Sequence, residues 1–323
     1  MRFRCSCRWL FAAALMVVGI ASAQTYPDKA KPIRVIAPFG VGTSTDVLAR
    51  AVARGVAETS GVNLVIDNRV GGEGVIALQA AKTAPADGYT MLFTSLSTQV
   101  VNPHMFKQLS YDPVADFVPL VGLAKTPLML NLGTSTTFNT AREFFAAAKA
   151  APGKYTYGSA SATTRAAGEI LQREAGIQLL NVGYKNFTDA MSNLASGMID
   201  LVLVDPATAG AFYKQGVRPV ATTVATRLRQ YPDVPTLREE GLKDFEVVGW
   251  FAAYFPAKTP PAAVAAMREI LRAALKTKYV TDVYSTFAME PLDAAGEQLD
   301  AFQRQELDRW GKAVRAAGLQ GTL

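Results

Sequence analysis

Short apolar runs alternate with amphipathic segments along most of this chain. Residues 33–39 are almost continuously apolar, as is typical of a strand that is buried on both faces. After the polar stretch 40–45, apolar residues recur at helical spacing, at Val47, Leu48, Ala51, Val52 and Val56. This strand–loop–helix order recurs along the chain and predicts an α/β fold, with mostly parallel sheets and flanking helices.

The same patterns place the other elements. Further strands are predicted at residues 64–66, 89–94, 128–132, 155–158, 201–204, 219–223 and 247–254. Further helices are predicted near residues 141–150, 165–175, 189–196 and 263–275. The chain ends in a long amphipathic helix whose apolar side carries Leu299, Phe302, Leu307, Trp310 and Val314. That side is expected to pack on the body of the protein.

The first 23 residues have the pattern of an export signal. Three arginines precede an apolar run from Trp9 to Ile20, and small residues follow at Ala21-Ser22-Ala23. The run has about twelve residues, whereas a membrane span needs roughly 20. We therefore predict cleavage after Ala23 and a soluble protein outside the cytoplasmic membrane.

The chain beyond this leader has a small net charge and few reactive side chains. Three of the 33 Lys and Arg residues lie in the leader, which leaves 30 against 27 acidic residues and gives no electrostatic reason to expect nucleic acid. Cys5 and Cys7 lie in the leader as well, which excludes a disulfide framework, a cysteine-based metal site and a catalytic cysteine. His104 is the single histidine. We therefore expect no catalytic residue, no metal and no cofactor.

The length of the mature chain predicts two lobes. About 300 residues exceed what one hydrophobic core usually holds. No Ser/Gly-rich or charged linker divides the chain. Short crossover strands are therefore expected to join the lobes.

The loop 40–46 is the first candidate binding element. A strand-to-helix loop leaves the first N–H groups of the helix unpaired, and the helix dipole attracts anions there. Thr43, Ser44 and Thr45 add hydroxyls that can bind a carboxylate or cap the helix. Asp46 either complements the dipole or orients a water or a ligand hydroxyl. Because the loop lacks the Lys-Ser/Thr pair of a P-loop and does not match GxGxxG, a small anion is favoured over a nucleotide phosphate.

Two more hydroxyl-rich loops follow predicted strands. One contains Ser95, Ser97 and Thr98, and the other spans residues 159–165. The carboxyl ends of parallel strands are where open α/β sheets bind ligands. The second of these loops supplies the candidates Ser159, Ala160, Ser161, Thr163, Thr164 and Arg165.

Arg165 has two interpretations. Its guanidinium matches a carboxylate in a bidentate pair, or it is a solvated cation in the first turn of a helix. A cation is mildly unfavourable at a helix start. An anion nearby would explain its position.

Ten short segments of the mature chain form an ordered set. They lie at residues 26–35, 45–50, 68–74, 86–90, 102–103, 111–117, 157–160, 184–185, 233–236 and 310–312, and include Ala86-Asp87-Gly88-Tyr89-Thr90 and Asp233-Val234-Pro235-Thr236. This set resembles the Bug family (TctC type), the periplasmic solute-binding receptors of tripartite tricarboxylate transporters. The resemblance covers essentially the whole mature chain.

The resemblance implies a two-lobe periplasmic-binding-protein fold of type II-like architecture, with the ligand cleft between the lobes. Domain 1 would hold residues 24–124 plus 225–323, and domain 2 residues 125–224. The lobes would close on a small organic carboxylate, and the closed monomer would dock on a membrane permease.

The resemblance also extends the candidate site, with departures. The family's first loop reads Pro-Phe-Pro-x-Gly-Gly-x-Thr-Asp, which adds Phe39 and Gly42. The third loop is about two residues shorter here and has Arg165 where a histidine is common. An arginine in place of the histidine suggests that the protein binds a second carboxylate directly. The hypothesis is therefore that the ligand is a dicarboxylate, aliphatic or aromatic. Near Asp205 the family often has Phe-Asp-Asn, so in this chain either the acid is displaced by one position or the alignment slips and Val204 occupies the acid position.

Two other classes of function stay open. A sensor would present the closed complex to a signalling partner instead of a permease. An exported enzyme acting on a small anion would need an acid/base pair, for which Asp46 and Asp205 are candidates, but no nucleophile, metal set or cofactor loop accompanies them. A neighbouring permease gene would favour transport, and turnover of a ligand would favour the enzyme.

Overall fold

The computed structural model describes residues 26–323, so the predicted signal peptide lies outside the described residues. The strands are β1 (Ile33–Ala37), β2 (Leu64–Asn68), β3 (Thr90–Ser95), β4 (Phe117–Pro127), β5 (Met129–Leu132), β6 (Thr156–Ser159), β7 (Leu180–Gly183), β8 (Leu201–Val204), β9 (Arg218–Thr222) and β10 (Val248–Pro256). The helices are α1 (Ser44–Ser60), α2 (Val75–Lys82), α3 (Asn102–Met105), α4 (Ala141–Ala150), α5 (Ala162–Ala175), α6 (Phe187–Ala195), α7 (Pro206–Ala209), α8 (Pro261–Ala274), α9 (Lys278–Thr286) and α10 (Glu297–Ala316). Shorter helical turns lie at Gly72–Gly74, Ser97–Val101 and Gly210–Gln215.

The strands form two five-stranded sheets, one in each lobe. The first lobe is built around the sheet β2-β1-β3-β10-β4, and the second lobe around β7-β6-β8-β5-β9. In the first sheet Ile33 lies opposite Leu64 and Arg34 opposite Thr90, both in parallel pairs. The division at residues 124/125 and 224/225 stays a prediction of where the lobes meet.

The sheets are mixed, which corrects the expectation of mostly parallel pairing. Parallel strands need a long crossover connection, and helices supply it between β1, β2 and β3. Strands β5 and β10 instead enter their sheets directly from the other lobe, and both run antiparallel to their two neighbours. Half of the pairings in each sheet are therefore antiparallel.

Helix boundaries follow local sequence rules. Helix α1 ends at Gly61, whose φ of 72° lies in the left-handed region that favours glycine. Helix α5 begins after Ser161, whose side chain accepts a hydrogen bond from the Thr164 N–H. Helix α4 has the predicted bounds. The segment expected to be a loop after β3 is instead a helical turn from Ser97 to Val101, so its hydroxyls are held by a helix.

Thr223 joins the two crossover segments. The chain crosses between the sheets at Leu128, and returns between β9 and β10. The Leu128 N–H donates to Thr223 Oγ1 at 3.0 Å, and the Thr223 N–H donates to the Leu128 carbonyl at 3.0 Å. Thr223 Oγ1 also donates to the Val247 carbonyl at 2.6 Å. These bonds tie the two crossover segments to each other.

The C-terminal helix α10 packs on the first lobe as predicted. Leu299, Trp310 and Val314 are buried, and Phe302 and Leu307 pack partly buried against the same core. Within residues 26–323, no helix combines the length and the apolarity needed to cross a membrane.

Candidate functional site

A small cavity of about 60 Å³ lies between the lobes. Since a water needs roughly 10–15 Å³ of such space, it holds only a few waters. The first lobe contributes Phe39, Thr43, Ser44, Thr45, Ser95, Leu96, Ser97, Thr126, Gly249, Trp250 and Phe251. The crossover and the second lobe contribute Leu128, Ser161, Thr163, Thr164, Phe187, Val204, Asp205 and Thr208. Ten of the sixteen predicted ligand-binding residues therefore meet around one cavity.

A larger cavity of about 600 Å³ lies beside the crossover segments. Its walls carry charges of both signs, including Lys125, Arg229, Glu246 and Glu290. None of the predicted binding residues lines it. The cavity between the lobes is the candidate site, because it joins the hydroxyl-rich strand ends of both lobes.

The start of α1 supplies one wall of the candidate site. Thr43, Ser44 and Thr45 are each less than 5% exposed. Thr43 precedes the helix but makes no side-chain cap; its Oγ1 donates to the Gly40 carbonyl at 2.7 Å instead. The first N–H groups of α1 therefore face the cleft without a cap from their own loop.

Asp46 and Gly42 shape this loop and do not line the cavity. Asp46 Oδ2 accepts from the Gly42 N–H at 3.1 Å, and the Arg50 guanidinium lies 2.9 Å from Oδ1. Gly42 has a φ of 80°. Of the two interpretations of Asp46, this geometry fits a residue that braces the first turn.

The start of α5 supplies the opposite wall. Ser161 and Thr164 bond to each other's backbone in a capping box. Thr163 is left with a buried hydroxyl that has no hydrogen-bond partner, and Ser95 of the first lobe has another. Two unpaired hydroxyls, one from each lobe, therefore line the cavity.

Ser159, Ala160 and Thr98 lie outside the cavity. Ser159 Oγ accepts from Asn181 Nδ2 at 2.9 Å, within the second sheet. The Ala160 N–H donates to Thr164 Oγ1 at 3.3 Å. Thr98 bonds to Thr94 and to the Ser95 carbonyl. All three support the loops that carry the lining residues.

At the cavity, direct hydrogen bonds between the lobes form two junctions. At the first, which we call the acidic junction, the Ser44 N–H donates to Thr208 Oγ1 at 3.2 Å and the Ser44 hydroxyl donates to Asp205. At the second, the neutral junction, the Thr163 N–H donates to Ser97 Oγ at 3.4 Å. Because the lobes touch directly and the cavity is far below the roughly 300–1,000 Å³ of a ligand pocket, this is a closed arrangement.

Asp205 begins helix α7 and is buried in the acidic junction. Its carboxylate accepts from the Thr208 N–H at 2.9 Å and from Thr208 Oγ1 at 3.1 Å, besides the Ser44 hydroxyl. Burial raises the pKa of this carboxyl, and the bonds from Ser44 and Thr208 oppose the shift. Among the lining residues of the described chain, Asp205 is the one charged side chain.

Arg165 is half-buried and does not line the cavity. It acts electrostatically on Glu73 of the first lobe: burial raises the pKa of the Glu73 carboxyl, and the Arg165 charge opposes that shift. Glu73 is held in a turn where residues 71–74 all have positive φ, and its carbonyl accepts from Asn102 Nδ2 at 3.0 Å. The anion expected near Arg165 is thus a side chain of the other lobe. Contact between Arg165 and a ligand stays a prediction.

Several residues that line the cavity were not predicted from the sequence. Asp205-Pro-Ala-Thr208 is a cap pattern that would have added Thr208. The aromatic residues Phe187, Trp250 and Phe251 had no local signal, since apolar positions in a helix or strand are indistinguishable from core. Trp250 and Phe251 reach the cavity because β10 follows the return crossing of the chain, and Phe187 reaches it from the start of α6.

Comparison with known proteins agrees with this geometry. A family model described as "Tripartite tricarboxylate transporter family receptor" matches residues 48–319. The chain belongs to this family. Protein BugT of Bordetella pertussis is 30% identical to this receptor over 313 residues, which cover 96% of this chain and 95% of BugT.

Solved structures give the same picture of the receptor. R. palustris Rpa4515 with adipate has a TM-score of 0.86 and 28% identity, over 91% of this chain and 98% of its own. MatC (Rpa3494) from Rhodopseudomonas palustris with bound malate has a TM-score of 0.81 and 26% identity, over 88% and 99%. The predicted family and two-lobe periplasmic-binding-protein fold are confirmed. The family consists of solute receptors, which confirms that the chain is not an enzyme.

Proposed function

We propose that this receptor captures a small organic carboxylate in the periplasm and delivers it to the permease of a tripartite tricarboxylate transporter. One observation carries the proposal. The buried hydroxyls of Ser95 and Thr163, one from each lobe, line the cavity without a hydrogen-bond partner. A buried hydroxyl without a partner is unfavourable, and a ligand oxygen between the lobes would satisfy both.

The ligand class follows from what surrounds these hydroxyls. The starts of α1 and α5 both reach the cavity, and helix N-termini favour anions. The family and the adipate and malate held by its neighbours agree with a carboxylate. We therefore assign the ligand's carboxylate to Ser95 and Thr163. Phe39, Phe187 and Trp250 offer apolar walls to its carbon chain.

The mechanism is binding by lobe closure. The cleft must open to admit a ligand, because the closed cavity is too small to take one up directly. A carboxylate that bonds to both lobes at once is held better in the shut state, which shifts the lobes toward closure. The closed surface is what a permease would bind. Signal cleavage at Ala23, a monomeric receptor and the domain bounds 24–124 plus 225–323 and 125–224 are parts of this proposal.

A binding panel tests the function. Mono-, di- and tricarboxylates, aliphatic and aromatic, are added to the mature chain in a thermal-shift assay. A ligand at about 100 times its Kd adds about 2.7 kcal/mol, which for this length raises Tm by about 5 °C. Absence of any shift across the panel would remove the carboxylate assignment. For an active ligand, uptake by cells with and without the receptor gene tests delivery, and unchanged uptake would contradict it.

A further inference from the structure

The acidic junction contains a buried carboxyl group that no cation among the cavity-lining residues of 26–323 pairs with. Asp205 is 8% exposed, and its partners, Ser44 and Thr208, donate hydrogen bonds but carry no charge. Tyr213 and Tyr231 are the other titratable groups that interact with it electrostatically, and burial raises the pKa of both phenols, so they stay neutral. No Lys, Arg or His of residues 26–323 lines the cavity.

A buried carboxylate without a cation is an unusual arrangement. Buried charges in proteins are normally paired, because the loss of hydration is otherwise uncompensated. Here the Asp205 side chain lines the cavity in which we propose that the ligand binds. A cation on the ligand would complete the pair.

Asp205 also limits how a carboxylate can lie in the cavity. A ligand carboxylate beside Asp205 would repel the ionised carboxyl strongly where water is excluded, whereas an ammonium group there would hold it in the ionised form. The neutral junction has no such charge and offers the free hydroxyls of Ser95 and Thr163 nearby. The two junctions therefore suit opposite charges on one ligand.

We propose that Asp205 binds the ammonium group of the ligand, which is then an amino acid held in its zwitterionic form, with its carboxylate on Ser95 and Thr163. This inference rests on the proposed function, which supplies the carboxylate. It also distinguishes this ligand from the adipate and malate of two neighbours, neither of which carries an amine. Asp205 is thereby a specificity-determining residue.

Matched ligand pairs test the proposal by calorimetric titration of the mature chain. Aspartate is compared with succinate, glutamate with glutarate and alanine with propionate, so that each pair differs by the amine. We expect the amine-bearing member of the best pair to bind about 10- to 100-fold more tightly, as a charge-assisted bond supplies. Equal or tighter binding of the amine-free member would overturn the proposal.

The variant Asp205→Asn locates the effect. Asparagine is also a good N-cap, so α7 keeps its start while the charge is lost. We expect the preference for the amine to fall to about twofold or less. The control Glu174→Gln removes an exposed acid of the second lobe and is expected to keep the full preference. An unchanged preference in Asp205→Asn would overturn the assignment, and if that variant does not fold, the wild-type ratios still decide.

The remaining outcomes separate the two levels of the argument. If malate binds as tightly as aspartate, the hydroxyl of malate is bound as well as the ammonium of aspartate. The proposal that Asp205 binds an ammonium group is then wrong. If amine-free carboxylates bind well and the amine adds nothing, the proposed function stands and this inference falls. If no carboxylate binds with or without the amine, the proposed function itself fails.

Discussion

The two junctions between the lobes are built from similar parts but differ in charge and in completeness. In the acidic junction the start of α1 has no side-chain cap of its own, and Asp205 of the other lobe accepts the Ser44 hydroxyl there. In the neutral junction the start of α5 is capped by Ser161, and the Thr163 hydroxyl is left over. One junction therefore already contains a carboxyl group, whereas the other leaves a hydroxyl donor free for the carboxylate of a ligand.

Removing the free donors tests the neutral junction and has the largest expected effect. The double variant Ser95→Ala/Thr163→Val deletes both unpaired hydroxyls. Since a hydrogen bond to a charged group contributes about 1.5–3 kcal/mol, we expect carboxylate binding to weaken about 100-fold or more, measured by calorimetry. Unliganded stability should change little, because neither hydroxyl has a partner to lose. The exposed Ser192→Ala is the control, and a Kd within threefold of wild type would contradict the assignment.

The acidic junction predicts a pH dependence of stability. Burial raises the folded-state pKa of Asp205 above its ordinary value of 3.8. The protonated carboxyl therefore contributes stability that is fully present below pH 3.8 and is lost as pH rises through the folded pKa. Asp205→Asn has no such loss. As the pH rises, we expect the free energy of unfolding of the wild type to fall relative to that of Asp205→Asn, by at most about 1.4 kcal/mol per pH unit.

Urea unfolding of both proteins from pH 4 to pH 8 measures this difference. Glu73, whose pKa is also raised by burial, is present in both proteins, so its contribution cancels. Tyr213 and Tyr231 stay protonated throughout this range, since burial raises the pKa of each. Parallel stability curves would mean that Asp205 keeps an ordinary pKa.

The two helix starts also differ in what their caps contribute. Ser161→Ala removes a side-chain cap from α5, which costs about 1 kcal/mol. Thr43→Ala removes no cap from α1, only the bond to the Gly40 carbonyl, which still accepts from the Thr43 N–H at 3.3 Å. We expect about 0.5 kcal/mol or less for Thr43→Ala. Chemical unfolding of both variants checks the order, and an equal or larger loss for Thr43→Ala would contradict it.

The difference between the junctions marks how far sequence reasoning reaches. The periodicity predicted the α/β layering, the bounds of α4 and the hydroxyl-rich strand ends, because these depend on neighbours in the chain. Asp46 pairs with Arg50 four residues later in the same helix, a spacing that the sequence already contains, whereas Glu73 comes near Arg165 only through the folded geometry. The aromatic wall around Trp250 depends on the crossing of the chain and has no local pattern.

Glu73 and Arg165 act across the lobes outside both junctions, and they give the smallest expected effect. Both side chains are partly exposed, and their interaction is electrostatic, without a direct hydrogen bond to Glu73 Oε2, so we expect its contribution to lie at the low end of the about 0–1 kcal/mol of an exposed ion pair. Glu73→Gln and Arg165→Gln should each weaken ligand binding about twofold by making closure less favourable. The double variant should be no weaker than either single variant, because both remove the same interaction. Calorimetric Kd values for the four proteins complete the cycle. If Arg165→Gln instead weakens binding tenfold while Glu73→Gln has no effect, Arg165 contacts the ligand itself. The binding site would then contain a cation, Arg165, that does not line the cavity in this closed arrangement.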